Sequence, residues 1–274
     1  MVFDHFDGGL GPHWSPFLAG VGRLEPGESL VRLVVDGATE RRYSDAQIDD
    51  YQGLSRRRFP WRPPLRLSVR GRASHPAASS QGAHREQPHL VGTAGFGFWN
   101  NPFIPSGGVP TLPESAWFFY ASPPSHMALV PGVPGHGWKA AVVHAARPGA
   151  LALGPLVVAA MLWGRLRRSP GLAASLLQRL TGAQEAVLDP DQADLASWHT
   201  YEIDWLPREA LFRVDGAQVL RAPSPPRGPL GFVAWVDNQY AVVTPWGALR
   251  FGHLAVPGRQ WLELDWVSIR AMGY

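Results

Sequence analysis

One segment in the second half of the chain predicts a β-hairpin. Residues 198–205 alternate between polar and apolar side chains, and a second alternating run covers residues 210–214. A short Pro-Arg-Glu segment joins the two runs, and Asp215-Gly216 follows the second. A period of two is typical of half-buried strands, and Asp-Gly is a preferred turn sequence. The chain therefore contains at least one antiparallel sheet.

Similar short runs recur along the chain, separated by the 30 glycines and 27 prolines. By contrast, the polar, Arg-rich segment 36–64 predicts a long loop with a short helical turn at residues 45–51. Many short strands without βαβ alternation predict an all-β jelly-roll sandwich of two antiparallel sheets. We expect its strands at 3–7, 30–35, 65–73, 90–99, 117–121, 139–145, 198–205, 210–214, 229–236, 240–244 and 261–269.

Residues 150–197 predict a helical insertion in this sandwich. Leucines at 172, 176, 177 and 180 have the spacing of an amphipathic helix, and Ser-Pro-Gly at 169–171 predicts a break between two helices. The insertion is a lid over a binding face, or alternatively a packing cap or a dimer contact. No repeat or linker divides the chain, so we expect a single domain over residues 1–274.

Composition excludes several classes of function. The formal net charge is +3, and the cations are scattered arginines with Lys139 as the single lysine, which does not predict nucleic-acid binding. The chain has no cysteine and hence no disulfide. The apolar stretch 151–166 is too short to span a membrane. The first residues lack the pattern of a signal peptide, from which we expect a cytoplasmic protein.

Motifs for several common cofactors are missing from the sequence. The ten histidines show no zinc or iron ligand spacing. The chain also lacks a Gly-x-Ser-x-Gly elbow, a Walker loop and a dinucleotide fingerprint. Because these motifs are missing, the sequence predicts no cofactor.

Four segments, in order, resemble one family of β-sandwiches. The hairpin resembles the "FHxYxIxW … FxVDG" hairpin of the laminarinase-like proteins, the concanavalin A-like group that includes glycoside hydrolase family 16. Residues 3–14 resemble the opening "F-x-D … W" of that family. Residues 65–73 and 95–99 resemble the strand pair that ends in "A-F-W", and residues 264–269 resemble "V-D-W-V-R-V". The resemblance implies a concanavalin A-like jelly roll.

The resemblance also implies where catalytic carboxylates should lie. Active members carry Glu-x-Asp-x-(x)-Glu on the strand after "A-F-W", and their two glutamates lie about 5 Å apart. The nearest carboxylate here is Glu114, which is either the nucleophile or a plain loop residue. If it is the nucleophile, Ala116 holds the position of the assisting Asp, and Phe118 or Phe119 that of the acid/base. Phenylalanine cannot transfer a proton, so we expect the standard retaining mechanism to be absent.

A set of aromatic and amide residues could line the concave face of such a sandwich. Sugar rings stack on aromatic faces, and their hydroxyl groups suit amide and carboxylate side chains. Alternatively, the aromatic residues fill the core, and residues 237–239 form only a tight turn. The candidate ligand-binding residues are Trp99, Asn100, Asn101, Trp117, Tyr120, Trp235, Asp237, Asn238, Gln239, Tyr240 and Trp246.

One metal site follows from the resemblance alone. In several family members the Asp of the closing strand binds a structural calcium ion, and Asp265 matches that position. Oxygen ligands suit calcium. The alternative is that Asp265 pairs with an arginine.

The sequence supports three hypotheses for function. The first is a protein of glycosidase-like fold that binds a small glycan or glycoside. The second is an unorthodox glycoside hydrolase that uses Glu114 with Asp237 or Glu202. The third is a non-catalytic structural or partner-binding protein, possible as a homodimer, that uses the helical insertion. The sequence leaves open whether the protein is an enzyme.

Overall fold

The computed structural model describes residues 1–78, 88–102, 111–127, 129–145, 171–244 and 249–273, with side chains described outside 171–173 and 249. These residues form short strands, a 3-10 turn at Arg56–Arg58 and one α-helix, α1 (Gly171–Thr181). The strands are β1 (Val2–Asp4), β2 (Ser15–Ala19), β3 (Gly22–Pro26), β4 (Val31–Ala38), β5 (Asp45–Asp49), β6 (Leu65–Ala73), β7 (Thr93–Trp99), β8 (Glu114–Ala121), β9 (His126–Met127), β10 (Gly137–His144), β11 (Gln184–Val187), β12 (His199–Trp205), β13 (Glu209–Val214), β14 (Ala217–Pro223), β15 (Gly231–Asp237), β16 (Gln239–Val243), β17 (Leu249–His253) and β18 (Val256–Ala271).

Two large antiparallel sheets pack face to face, as predicted. The eight-stranded sheet has the order β14-β13-β12-β6-β18-β4-β3, and β1 pairs with β18. The seven-stranded sheet has the order β11-β10-β8-β7-β15-β5-β2. A small third sheet contains β17, β16 and β9, in which β9 runs parallel to β16.

The core lies between the inner faces of the two large sheets. Because strand residues alternate between faces, Ala116, Phe118 and Tyr120 of β8 all point into it and are buried. The ring of Tyr201, from the eight-stranded sheet, lies 5.0 Å from that of Phe118 and 5.1 Å from that of Phe96. Burying one such side chain stabilises a fold by about 1.5–3 kcal/mol. These cross-sheet contacts hold the two sheets together.

The predicted hairpin is present as β12 and β13. Tyr201 pairs with Val214 and Trp205 with Ala210. Asp215-Gly216 turns the chain into β14, and both residues have positive φ, +49° and +83°, as a type I′ turn requires. The strand predicted at residues 65–73 coincides with β6.

The prediction of a long loop at residues 36–64 was wrong. Within it, β5 pairs with β15 and β2 inside the seven-stranded sheet. Ala46 and Ile48 face the core, and Asp45 and Gln47 face the opposite side. Polar residues have low strand propensity, which hides β5 from a propensity-based prediction. Its period-two alternation is the signal that identifies it.

The predicted helical insertion is confirmed in part. The second of the two predicted helices is α1, whereas the first was predicted between residue 150 and the break at 169–171, in a segment that lies outside the described residues. The end of the insertion was wrongly predicted, because Gln184–Val187 is strand β11, paired with β10. Across the described ranges, no helix has the length and apolar character needed to cross a membrane.

Candidate functional site

A cavity of about 400 Å³ lies on the face of the seven-stranded sheet that points away from the core. We call it the pocket. Strands β5, β7, β8, β10, β11 and β15 form its base, and the third sheet and α1 add Tyr240, Phe251 and Leu177. Small-molecule sites commonly have volumes of about 300–1000 Å³, so the pocket can hold a small ligand.

Four aromatic rings cover the base of the pocket, and we call them the aromatic floor. They belong to Trp99, Trp117, Phe119 and Trp235. The ring centroid of Trp117 lies 5.9 Å from that of Trp99, 5.4 Å from that of Phe119 and 5.3 Å from that of Trp235. The floor is therefore one continuous apolar surface.

Two glycines of β7 make room for the aromatic floor. A Cβ at Gly95 would lie 2.9 Å from ring carbon Cη2 of Trp235, and a Cβ at Gly97 would lie 2.5 Å from the Cα of Trp117. Gly97 also has a φ of +149°, which favours glycine. Because neither residue has a side chain, the indole rings can lie against the backbone of β7.

The indole N–H groups at the two ends of the floor are bonded within the protein. Trp99 Nε1 donates to the hydroxyl of Tyr51 at 2.7 Å. Trp235 Nε1 donates to Thr93 Oγ1 at 2.9 Å. These two rings therefore offer a ligand their faces and not their N–H groups.

Two carboxylates lie at one end of the floor, and we call them the acidic pair. Asp45 of β5 is directly opposite Asp237 of β15. Opposed residues of antiparallel strands have Cβ atoms about 4.5–5.5 Å apart. Asp237 Oδ1 accepts hydrogen bonds from the backbone N of Thr93 at 3.1 Å, from its hydroxyl at 2.8 Å and from the backbone N of Gln239 at 2.9 Å. Asp45 Oδ2 accepts one from the hydroxyl of Tyr43 at 2.9 Å.

Burial raises the pKa of both members of the acidic pair, because an apolar environment disfavours the charged form. The pKa of Asp237 rises to about 6. Burial, followed by the charge of Asp237, raises the pKa of Asp45 well above its ordinary value.

The other end of the pocket contains Glu114 and Ser115, the first residues of β8. Glu114 Oε1 lies 3.3 Å from His144 Nε2. Burial raises the pKa of Glu114. The hydroxyl of Ser115 is buried and has no hydrogen-bond partner among the described residues.

A buried ion pair completes the polar groups of the pocket. Lys139 Nζ on β10 lies 3.0 Å from Glu185 Oε2 on β11, and their side chains are only 4% and 6% exposed. Burial raises the pKa of Glu185, and the charge of Lys139 acts in the opposite direction. The pair is neutral as a whole.

No protein-family model matches the chain, and no curated protein matches its sequence. Solved structures do match it. One, reported for endo-acting O-glycanases of the human gut microbiota, has 12% identity and a TM-score of 0.55, and the match covers 100% of this chain and 99% of the other. A pseudo β-1,3-glucanase of Mycobacterium tuberculosis has 12% identity and a TM-score of 0.53, with coverage of 100% and 99%. A laminarinase from Flavobacterium sp. UMI-01 has 14% identity and a TM-score of 0.51, with coverage of 98% and 99%.

The chain has a laminarinase-like fold. The predicted concanavalin A-like jelly roll is thereby confirmed.

The resemblance implies that catalytic carboxylates would lie on the strand that corresponds to β8. Strand alternation brings Ser115, Trp117 and Phe119 to the pocket, whereas Ala116 and Phe118 face the core. Ala116 and Phe118 therefore do not occupy the positions expected for the assisting Asp and the acid/base, whereas Phe119, the alternative for the acid/base, does face the pocket. None of the three pocket-facing residues is a carboxylic acid.

The structure does not bring the predicted hydrolase residues together. Glu202 lies on the eight-stranded sheet, where its Oε1 is 3.5 Å from a guanidinium nitrogen of Arg66. Its neighbours in the strand, Tyr201 and Ile203, face the core. Its carboxylate therefore points away from both the core and the pocket. The proposed pairing of Glu202 with Glu114 is thus excluded by the fold.

Glu114 and Asp237 share the pocket but lie at opposite ends of it. Asp237 is paired with Thr93, and Ser115, next to Glu114, with Trp99. Thr93 and Trp99 are six residue steps apart on β7, which corresponds to about 20 Å at about 3.3 Å per step. Glycosidase carboxylates lie about 5–9.5 Å apart. This pair does not have a glycosidase spacing.

Three predicted amides lie outside the pocket lining. Asn238 accepts from the backbone N of Ser44, and its Nδ2 contacts the carbonyls of three residues in two loops. Asn100 bonds the backbone of Leu112 and Glu114. Asn101 is buried outside the pocket lining, with a positive φ of +46°. The run 237–239 is therefore not a hairpin turn, since it joins two different sheets at Asn238.

Tyr120 also differs from expectation. It lies in the core, where its hydroxyl donates to the carbonyl of Leu90 at 2.6 Å. Its even position on β8 places it on the face opposite Trp117 and Phe119. Trp246 lies outside the described residues. The predicted residues that do line the pocket are Trp99, Glu114, Trp117, Trp235, Asp237, Gln239 and Tyr240.

Asp265 lies at a bulge of β18, on the outer side of the eight-stranded sheet. Its Oδ2 is 3.5 Å from Arg70 Nε, which is the arginine pairing that the sequence left open. No group of three or more His, Asp or Glu side chains suited to a metal occurs among the described residues. A carboxylate already facing a guanidinium fits poorly with calcium, which takes about six to eight oxygen ligands. Calcium at this position stays a prediction from the resemblance.

Sequence reasoning missed several polar residues of the pocket. Asp45 and Gln47 were assigned to a loop, although the alternation of β5 predicts that they share a face. Lys139 and Glu185 were noticed only as members of a strand and an insertion. A charged residue followed by an apolar run, as in Lys139 to Val143, is the signal that could have indicated a buried pair. The remaining missed polar residues are Tyr43, Thr93, Ser115 and Thr181.

Proposed function

We propose that the protein binds a small glycan or glycoside in the pocket and does not hydrolyse it by the two-carboxylate mechanism. The observation that carries this proposal is the aromatic floor with an unpartnered polar atom near each end. These atoms are Asp45 Oδ1 and Ser115 Oγ, both buried and both belonging to residues that line the pocket.

A sugar ring fits this arrangement chemically. Its apolar face can stack on an indole, and its hydroxyl groups can meet polar groups at the ring edge. Leaving a buried polar group unpaired costs about 1–3 kcal/mol. A ligand that hydrogen-bonds Asp45 and Ser115 removes that cost.

The pocket-facing residues of β8 support binding without standard hydrolysis. Ser115, Trp117 and Phe119 occupy the face where the resemblance implies carboxylates, and Glu114 lies far from Asp237. One solved protein with a similar fold is described as a pseudo β-1,3-glucanase. This supports the proposal that a protein of this fold need not be an active glucanase.

The described part of the insertion favours a role in the pocket over a role in a dimer. Leu177 and Thr181 of α1 line the pocket beside Glu185. A helix in that position can act as a wall or lid, which excludes water from a bound ligand. We therefore prefer the lid to the structural or partner-binding alternative.

The test is a binding screen of β-glucans, oligosaccharides and phenyl glycosides by calorimetry. We expect at least one ligand to bind, and Trp117→Ala to weaken its affinity by about tenfold or more, since about 1.4 kcal/mol corresponds to a factor of ten. Trp261→Ala is the matched control, because Trp261 lies on the eight-stranded sheet and contacts Arg32 and Arg72.

Two results would contradict the proposal. One is the absence of binding by every ligand in the screen. The other is turnover of aryl glycosides by the wild-type protein that disappears in Glu114→Gln, which would restore the hydrolase hypothesis.

A further inference from the structure

Outside the acidic pair, this chain neutralises several of its most buried carboxylates with cations. Glu263, with a fully buried side chain, lies between Arg32 and Arg72. Asp204 binds two arginines, Arg66 and Arg213. Within the pocket itself, Glu185 is paired with Lys139. A buried charge is tolerated when an opposite charge and hydrogen bonds compensate it.

Within the described part of the chain, the acidic pair has no such partner. Among the described residues, neither Asp45 nor Asp237 forms an ion pair with arginine, lysine or histidine, and their hydrogen-bond donors are the neutral groups of Tyr43, Thr93 and Gln239. Asp45 is only 1% exposed, and its Oδ1 is the one carboxylate oxygen among the buried described atoms that lacks a partner. Asp49 and Asp50 also lack cations, but hydrogen bonds occupy both oxygens of each.

We propose that the ligand carries a protonated amine, which binds between Asp45 and Asp237 while the rest of the ligand lies on the aromatic floor. The proposal rests on the function proposed above and names its ligand class, an amino-substituted glycoside.

The geometry around the acidic pair suits an ammonium group. Two carboxylates on opposed strand positions can accept hydrogen bonds from one ammonium, including one at the free oxygen of Asp45. Trp235 lies two residues from Asp237 on the same face of β15, so its ring borders the same space. An aromatic face attracts a cation through its negative quadrupole.

The other charged groups described in the pocket are paired. Lys139 is neutralised by Glu185, and Glu114 Oε1 lies 3.3 Å from His144 Nε2 at the far end, so the acidic pair is left as the unbalanced negative charge. An anionic sugar would therefore meet like charge in an apolar environment. In the free protein a proton can occupy the acidic pair, since burial and mutual repulsion raise the pKa of Asp45. A ligand ammonium would displace that proton.

The experiment compares matched ligands by calorimetry. The ligands are phenyl β-D-glucoside, its 2-, 3- and 6-amino-deoxy analogues, and the N-acetylated form of each amine. We expect at least one amine to bind about tenfold or more tightly than the glucoside, equivalent to about 1.4 kcal/mol. N-acetylation removes the charge, so it should abolish this preference.

Variants then locate the effect. Asp45→Asn and Asp237→Asn keep the side-chain shape, and each should reduce the preference for the amine to about twofold or less. Glu202→Gln is the matched control, because Glu202 lies beside Arg66 on the eight-stranded sheet, outside the pocket, and it should leave the preference unchanged. Circular dichroism confirms that each variant is folded. The N-acetyl comparison tests the inference in the wild-type protein, without any variant.

The outcomes separate this inference from the proposed function. Equal binding of glucoside and amines would overturn the ammonium site and leave glycoside binding intact. A preference that survives in both aspartate variants would also overturn it. If no ligand in the set binds, the ammonium site is overturned, and the broader screen of β-glucans and oligosaccharides decides whether the proposed function also fails.

Discussion

At the scale of single residues, the seven-stranded sheet stands out for its buried acids. Besides the acidic pair, Asp50 follows β5 and accepts hydrogen bonds from the indole of Trp61 and from the backbone N of Phe232, the latter at 2.9 Å. Burial raises the pKa of Asp50 to about 7. Asp50 is outside the pocket lining, so it can be changed without touching the aromatic floor.

We expect the free energy of unfolding to fall as pH rises from about 4 to about 7. An unfolded Asp loses its proton near pH 3.9, whereas folded Asp50 keeps its proton until about pH 7. The folded state therefore holds more protons in this window, and linkage makes stability decrease with pH. Asp50→Asn should make the decrease in the free energy of unfolding between pH 4 and pH 7 smaller by up to about 4 kcal/mol, because one pKa unit corresponds to about 1.4 kcal/mol.

Urea unfolding at several pH values measures this effect. Asp191→Asn, at an exposed position, is the matched control and should retain the wild-type slope. A slope in Asp50→Asn equal to that of the wild type would show that Asp50 does not hold its proton in the folded state.

At the scale of elements, the interior strands were predictable and most edge strands were not. The sequence predicts β6, β7, β8, β12, β15 and β18, which lie inside the two large sheets and have buried inner faces. It does not predict β2, β3, β9, β14 and β17, and each of these is at the edge of a sheet. Edge strands bury less side-chain surface, so their hydrophobic alternation is weaker.

The candidate site was only half predictable for a related reason. Trp99, Trp117 and Trp235 stand out by residue type. Which aromatic residues face the pocket depends on strand register, and Tyr120 faces the core because it is one position out of phase with Trp117. Asp45 belongs to β5, the described interior strand that the sequence does not predict, because its polar residues have low strand propensity.

Gly95 on β7 provides a test of how the aromatic floor is built. We expect Gly95→Ala to lower the free energy of unfolding by about 1–3 kcal/mol, as overpacking does. The new Cβ would lie 2.3 Å from the carbonyl oxygen of Phe118 and 2.9 Å from the ring of Trp235. Displacement of Trp235 should also weaken ligand binding. Urea titration and calorimetry measure the two effects.

Gly258→Ala is the control for this substitution. A Cβ there meets no atom within 4 Å, so stability and binding should stay close to those of the wild type. Equal stability of the two variants would mean that β7 can shift without cost and that the glycines do not determine the floor.

At the scale of the whole molecule, one core connects the two large sheets. Tyr201, Phe118 and Trp138 contact one another across it, with ring centroids 5.0–5.9 Å apart. Strands that are distant in sequence are neighbours in both sheets, as β18 is with β4 and β6. Such long-range pairing leaves little that could unfold separately.

We therefore expect urea unfolding to be a single transition. Tryptophan fluorescence reports on the core and pocket, and far-ultraviolet circular dichroism reports on the sheets. Coincident curves from the two signals are expected for one cooperative unit. Separate midpoints would contradict the prediction of a single domain over residues 1–274.

The location of Lys139 has a practical consequence for surface-based assays. In protein produced as residues 1–274, an amine-reactive ester has two targets, the α-amino group of the 90% exposed Met1 and the shielded Lys139. Met1 precedes β1, which belongs to the eight-stranded sheet, away from the pocket. Coupling at the more accessible amine would tether every molecule to a sensor chip in one orientation, with its binding face towards the flowing solution.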